Sequence, residues 1–133
     1  MANGQKPLEL ILARNFLTNL STPGFLVDRD GLLVFYNDAA GALLGVRFED
    51  AGQMGPEEWG MSFGPFDDAG EQVPFEELPL TRALRGGRPA HSRFTIRSRT
   101  GDEHRIEASA LPIEATEGRS GALVFFWPEN GVA

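Results

Sequence analysis

The apolar and polar residues in the first third of the chain are arranged as helix, strand, turn and strand. Residues 8–20 carry apolar side chains every three or four positions, which is the spacing of a helix. Two short apolar runs follow at 25–27 and 32–36, and residues 28–31 between them have the Asp and Gly composition of a tight turn. The pattern therefore predicts a β-hairpin preceded by a helix.

A short helix is predicted directly after the hairpin, over residues 38–44. Asn37 stands at the N-cap position, where its side-chain oxygen can accept a backbone N–H of the first helical turn. Gly45 follows the last helical residue and suits the left-handed conformation that often ends a helix. We expect Asn37 to be a structural cap and not a catalytic residue.

The predicted N-terminal helix is apolar on two sides and therefore needs two partners. One stripe consists of Leu8, Ile11, Leu12 and Phe16. The second stripe advances in alternating steps of three and four residues, as in a short coiled coil, and we expect it to contact a second subunit. This predicted dimer interface comprises Leu10, Ala13, Leu17 and Leu20. The alternative is a helix that its own domain buries on both sides.

A segment rich in glycine and proline follows, over residues 46–74. It does not suit a long helix, although residues 56–59 can form a single helical turn. Several large apolar residues predict that this part of the chain packs against the domain: Met54, Trp59, Met61, Phe63 and Phe66. Ordinary core cover and one side of a ligand site are both compatible with this pattern.

The remaining residues predict one more helix and three strands. The helix is expected at 79–85 and the strands at 90–98, 104–110 and 122–127. Pro112 indicates the end or an edge of the second of these strands, because proline cannot donate a ladder hydrogen bond. Residues 114–121 are polar and predict a hairpin loop.

Two of these stretches resemble the PAS family of sensor domains. The family pattern D-x-D-G-x-x-x-x-x-N-x-A-A-x-x-L-x-G occurs here as Asp28, Asp30, Gly31, Asn37, Ala39, Ala40, Leu43 and Gly45. Residues 78–86 resemble the helix before the central strands, which often reads P-x-x-R-A-L-x-G. The order of the predicted elements over residues 21–127 is also that of the family. The resemblance implies an α+β fold, a five-stranded antiparallel sheet with short helices on one face and an N-terminal helix.

Three parts of the chain are distinguished on this basis. Residues 1–20 form a flexible lead and the amphipathic helix, residues 21–128 form the PAS domain, and residues 129–133 form a tail. Many family members end the last strand with Asp-Ile-Thr and continue into a coupling helix. This chain reads Trp-Pro-Glu at 127–129, so no such output helix is expected.

The composition excludes several kinds of site and partner and indicates the cellular compartment. The 133 residues are 41% hydrophobic and contain no cysteine, which excludes disulfides, thiolate zinc sites and cysteine nucleophiles. The net charge of −7 argues against nucleic acid or an anionic membrane as the main partner. No apolar run approaches the ~20 residues of a membrane span, and no secretion signal is visible at the start. We expect a cytoplasmic protein.

No catalytic or metal-binding pattern is found in the sequence. It contains no Walker loop and no G-x-G-x-x-G motif, and its one G-x-S-x-G match, at residues 60–64, lies in the irregular segment and not after a predicted strand as a nucleophile elbow does. His91 and His104 are separated by a predicted strand and turn and do not have the spacing of metal ligands. The chain is therefore expected to be neither an enzyme nor a metal-binding protein.

The PAS resemblance implies a sensory or interaction module with a small cavity between sheet and helices. Flavin sensors of the light-oxygen-voltage type need a cysteine in the helix at 38–44, and haem-binding members commonly use a histidine in the helix at 79–85. Neither residue is present. A covalent flavin and a haem are therefore disfavoured, whereas a non-covalently held flavin or other small ligand is compatible with the sequence.

Two functions follow from the resemblance. The first is a signalling module, for example in transcription regulation, that binds a small molecule and acts through dimerisation on an effector protein. The second is a ligand-free dimerisation or protein-interaction adaptor. A polar anchor in an apolar pocket would favour the first, and the candidate anchors are Tyr36, Arg93 and Ser109. The predicted pocket comprises Phe25, Tyr36, Leu43, Leu44, Met61, Phe63, Leu84, Arg93, Phe94, Ile106, Ser109 and Phe125.

Overall fold

The computed structural model of the chain describes residues 8–115 and 118–129. The helices are α1 (Leu8–Thr18), α2 (Asp38–Leu44), α3 (Phe48–Ala51), α4 (Pro56–Phe63), a 3₁₀ turn (Phe75–Glu77) and α5 (Pro79–Gly86). The strands are β1 (Gly24–Asp28), β2 (Leu33–Tyr36), β3 (Ala90–Arg97), β4 (Glu103–Ala115) and β5 (Gly118–Pro128). The predicted flexible lead before the N-terminal helix, and all but the first residue of the predicted tail, lie outside the described residues.

The five strands form one antiparallel sheet in the order β2-β1-β5-β4-β3. This confirms the predicted α+β fold. Helices α2, α4 and α5 pack their buried residues against one side of the sheet, called here the inner face. Helix α1 packs against the other side, the outer face. The short helices thus share one face, as predicted, and the N-terminal helix lies on the opposite one.

Helix α1 is seated closely on the outer face. Leu10 and Leu17 are 3% and 0% exposed and pack against apolar side chains of β1 and β2. Gly24 permits this approach, because a Cβ atom built there would lie only 2.7 Å from Leu17 Cδ2. Ala13 and Leu20 are partly buried in the same cluster.

The predicted dimer stripe of Leu10, Ala13, Leu17 and Leu20 therefore covers the chain's own sheet, and its assignment to a subunit interface is corrected. The residues of the other stripe are the exposed ones, at 64%, 45%, 56% and 54% for Leu8, Ile11, Leu12 and Phe16.

Asn37 joins α1 to the sheet and to α2. Its Oδ1 accepts the backbone N–H of Ala40 at 3.0 Å, which confirms the predicted N-cap. The same oxygen accepts the N–H of Gly24 at 3.1 Å, and Nδ2 donates to the carbonyls of Leu17 at 3.1 Å and Thr22 at 2.9 Å. Asn37 is 2% exposed, so the side-chain amide that makes these four hydrogen bonds is buried.

The segment at 46–74 is more regular than predicted. It contains α3, which the sequence did not indicate, and α4 has eight residues where a single turn was expected. Pro56 opens α4 at a position where its missing N–H costs nothing. Trp59 and Phe63 of α4 are buried in the inner core, whereas Met61 between them is 79% exposed.

Strand β4 is longer than predicted and runs through Pro112 to Ala115. Pro112 lies opposite Ala122 of β5. On the other side, the pairing of β4 with β3 stops where Ala110 faces Ala90. Pro112 therefore lies beyond the end of β3, where β4 pairs with β5 alone and a missing N–H on the free side is tolerated.

Candidate ligand-binding cavity

A cavity of about 80 Å³ lies between the inner face of the sheet and the helices. This is several times the ~10–15 Å³ that a single water molecule needs. Every strand and three of the helices contribute to its lining. The lining residues are Phe25, Leu33, Tyr36, Leu44, Trp59, Phe63, Gly64, Pro65, Leu78, Pro79, Leu80, Phe94, Ile96, Ile106, Ala108, Val124 and Phe126.

The alternation of side chains along the strands directs these residues inward. In β4, Ile106 and Ala108 face the cavity, since residues two apart share one face of a sheet. Val124 and Phe126 do the same in β5. The rings of Phe25 and Phe126 lie 6.0 Å apart, so neighbouring strands meet in an aromatic contact beside the cavity.

The polar ends of the two amphipathic lining residues are bound to backbone carbonyls. The Tyr36 hydroxyl donates to the carbonyl of Val46 at 2.5 Å, and the Trp59 indole N–H donates to the carbonyl of Gly31 at 3.1 Å. Burial raises the pKa of Tyr36 to about 12, so its hydroxyl stays protonated near neutral pH. Both side chains therefore present their carbon surface to the cavity.

The structure brings half of the predicted pocket residues to the cavity lining: Phe25, Tyr36, Leu44, Phe63, Phe94 and Ile106. Leu43 and Leu84 are partly buried and pack against the same core without lining the cavity. Met61 is largely exposed. Arg93, Ser109 and Phe125 are placed on the outer face.

The positions of Arg93, Ser109 and Phe125 correct the predicted pocket. Ser109 and Phe125 lie opposite each other on β4 and β5, and Phe125 belongs to the cluster that packs against α1. Arg93 forms an ion pair with Glu129 at 3.6 Å. Of the three predicted polar anchors, Tyr36 alone lines the cavity.

The outer face of β3 and β4 carries charge pairs around Glu129. The Arg105 Nε donates to Glu129 Oε1 at 2.8 Å, and this hydrogen bond is the main reason that the pKa of Glu129 is lowered and that of Arg105 is raised. Glu129 also has its backbone N–H bonded to the carbonyl of Arg105 at 2.9 Å. The Trp-Pro-Glu end of β5 is thus held against β4 by a side-chain and a backbone hydrogen bond between Glu129 and Arg105.

Sequence reasoning missed eleven lining residues, and some of them carried a usable signal. The alternation in β3 and β4 assigned Ile96 and Ala108 to the same faces as Phe94 and Ile106, so both could have been included. Leu78, Pro79 and Leu80 precede or begin α5, and no local pattern shows which turn of a helix reaches a cavity. The others are Leu33, Trp59, Gly64, Pro65, Val124 and Phe126.

Within residues 8–115 and 118–129, no group of three or more His, Cys, Asp or Glu side chains is arranged to hold a metal ion. In the same part of the chain, none of the helices has the length and apolar character needed to cross a membrane.

The fold and the cavity agree with a comparison against protein families. A family model of the PAS fold matches residues 17–128. The chain belongs to the PAS fold family. The resemblance seen in the sequence is confirmed, and the chain is a PAS module of the sensory and signalling class.

Solved PAS domains share this fold at low sequence identity. The PAS domain of BvgS from Bordetella pertussis is 13% identical, with a TM-score of 0.59 over 90% of this chain and 84% of that one. A PAS domain from Colwellia psychrerythraea is 17% identical, with a TM-score of 0.64 over 89% and 96% of the two chains. The light-state dimer of the fungal blue-light photoreceptor Vivid is 11% identical, with a TM-score of 0.61 over 96% and 97%. No curated protein matches the chain.

Proposed function

We propose that this PAS domain senses a small molecule held non-covalently in the inner cavity and transmits the signal through self-association. The observation that carries the proposal is the cavity of about 80 Å³ between the sheet and the helices. Its size suits a small molecule better than a flavin or a haem. The chain has no cysteine for covalent attachment, and no catalytic role is proposed. A cytoplasmic location and a protein effector are part of the same proposal.

Ligand binding should be detectable as thermal stabilisation in a screen of small metabolites. A ligand present at one hundred times its dissociation constant stabilises the folded state by about 2.7 kcal/mol. For a domain of this size that corresponds to a rise of several degrees in Tm. Phe94 lines the cavity and is only partly buried, so Phe94→Trp should narrow the space and abolish the shift while the domain stays folded.

Phe125→Trp is the matched control, because the same substitution is then made on the outer face. It should leave the ligand-induced shift in place. A broad screen without any shift would refute the sensing proposal and favour the alternative, a ligand-free adaptor for protein interaction.

Self-association is proposed to use the exposed stripe of α1, with a second copy of the chain as the partner. Leu8, Ile11, Leu12 and Phe16 form a continuous apolar surface on a helix, and an exposed surface of this kind commonly marks a protein interface. Two copies can bury the same stripe symmetrically against each other. Vivid, which shares the fold, forms a dimer in its light state, so self-association occurs among proteins of this fold.

Leu12→Glu combined with Phe16→Glu should convert a dimeric parent into a folded monomer. Both side chains are more than half exposed in the single chain, so the charges do not enter its core. In the dimer they would face each other across the interface and repel. Light scattering measures the mass, and circular dichroism checks the fold. A parent protein that is monomeric at tens of micromolar would rule the dimer out.

Asn37 offers a physical connection between the cavity and the proposed interface. It caps α2, whose Leu44 lines the cavity, and its Nδ2 holds the carbonyl of Leu17 in α1. A ligand that displaces α2 would therefore act on the last turns of α1 through one buried amide.

A further inference from the structure

We propose that the cavity is selective for a small uncharged ligand without hydrogen-bonding groups, a small hydrocarbon. The inference rests on the proposed sensing function and specifies its ligand. It follows from what the lining residues can offer a bound molecule and from what they cannot.

Carbon atoms form nearly the whole surface of the cavity. None of the lining residues carries a charge, and only Tyr36 and Trp59 have polar side-chain atoms. Those atoms already donate to the carbonyls of Val46 and Gly31, at 2.5 and 3.1 Å. Since almost no polar atom is exposed at the cavity surface, a ligand hydroxyl, carboxylate or amide would be left without a hydrogen-bond partner there.

An unpaired polar group is costly in such a place. Burying a hydroxyl without a hydrogen bond weakens binding by roughly tenfold or more, and an ionised carboxylate is penalised further. Water is also a poor occupant, since a buried water typically makes 2–4 hydrogen bonds, which a carbon lining does not offer. A hydrocarbon pays no such penalty and gains contact with the aromatic side chains.

The test uses three probes of similar shape and increasing polarity: toluene, benzyl alcohol and benzoate. Each is titrated into the purified full chain and followed by the NMR methyl signals of Leu, Ile and Val. We expect toluene to shift the methyl signals of Ile96, Ile106 and Val124, which line the cavity. Benzyl alcohol should bind at least roughly tenfold more weakly and benzoate should not bind measurably.

A hydroxyl placed in the lining should reduce this preference. Val124→Thr replaces a methyl group with a hydroxyl of nearly the same size at a position that contacts the cavity. The ratio of the toluene and benzyl alcohol dissociation constants should move toward one. Val27→Thr is the matched control, because Val27 is fully buried in the same inner core but does not line the cavity. It should leave the ratio unchanged.

The probe series tests the inference without the threonine variants, so the test remains valid if a variant fails to fold. Binding of benzyl alcohol or benzoate that equals or exceeds that of toluene would overturn the hydrocarbon preference and leave the sensing proposal standing. The preference is equally overturned if none of the probes binds while the metabolite screen yields a polar ligand. If both the probes and the screen give no binding, the sensing proposal falls with it.

Discussion

Replacing Leu17 with glutamate should detach α1 from the sheet or unfold the domain. Leu17 is completely buried between α1 and the outer face, and its side chain lies against Gly24. Loss of a core leucine alone costs about 2–5 kcal/mol. A carboxylate in its place would in addition be buried without a partner, which is more costly still. Since a domain is typically stable by about 5–15 kcal/mol, a large part of that margin should disappear.

Urea denaturation measures the loss, and hydrogen exchange of the α1 amides shows whether the helix has detached. Leu12→Glu is the control on the same helix when parent and variant are both compared at concentrations where they are monomeric, because Leu12 is 56% exposed and the charge can stay in water. It should change the free energy of unfolding of the monomer by less than about 0.5 kcal/mol. Equal effects of the two substitutions would mean that α1 does not pack on the sheet through Leu17.

Asn37→Ala should destabilise the domain by about 2–4 kcal/mol, more than an N-cap alone. Loss of a cap costs about 0.5–2 kcal/mol, and a buried group left without its partner costs about 1–3 kcal/mol. Here the substitution removes the cap of Ala40 and also deprives the carbonyls of Leu17 and Thr22 of their donor. The expected fall in Tm is roughly 10 °C, and a Tm within a degree of the parent would contradict this role.

Asn37→Asp separates the contribution of the helix cap from that of the hydrogen bonds donated by Nδ2. Aspartate caps helices as well as asparagine does, so the bonds from Ala40 and Gly24 should persist. It cannot donate when ionised, and its charge would face the carbonyls of Leu17 and Thr22. Hydrogen exchange should therefore increase at the end of α1 and not in α2. Protection of α1 equal to that of the parent would show that the Nδ2 bonds are dispensable.

The elements that the sequence predicted well are those with strong local signals. The boundaries of α2 follow from a cap at Asn37 and a glycine at Gly45, whose φ of 81° is in the left-handed region. The hairpin of β1 and β2 follows from the turn residues between two apolar runs. These signals involve neighbours in sequence, so no knowledge of the tertiary structure is needed to interpret them.

The errors occur where an element is apolar on both sides. Helix α1 has two apolar stripes, and its periodicity does not indicate that Leu17 faces the sheet and Leu12 the solvent. Strand β5 has the same ambiguity, because α1 covers one of its faces and the cavity lies against the other. Phe125 and Phe126 are chemically identical neighbours that end on opposite faces. Ser109 and Arg93 are different, since their alternation with Ala108 and Phe94 already placed both away from the cavity.

The central position of β5 has a consequence for biosynthesis. Strand β1 is among the first parts of the domain to be translated, yet its partner residues 121–125 are among the last. At a translation rate of roughly 5–20 residues per second, several seconds or more pass before β5 is synthesised, and during this time the edge of β1 that pairs with β5 is unpaired. Such an open strand edge is a surface on which nascent chains aggregate. We therefore expect the domain to be most prone to aggregation in the interval between translation of these two strands.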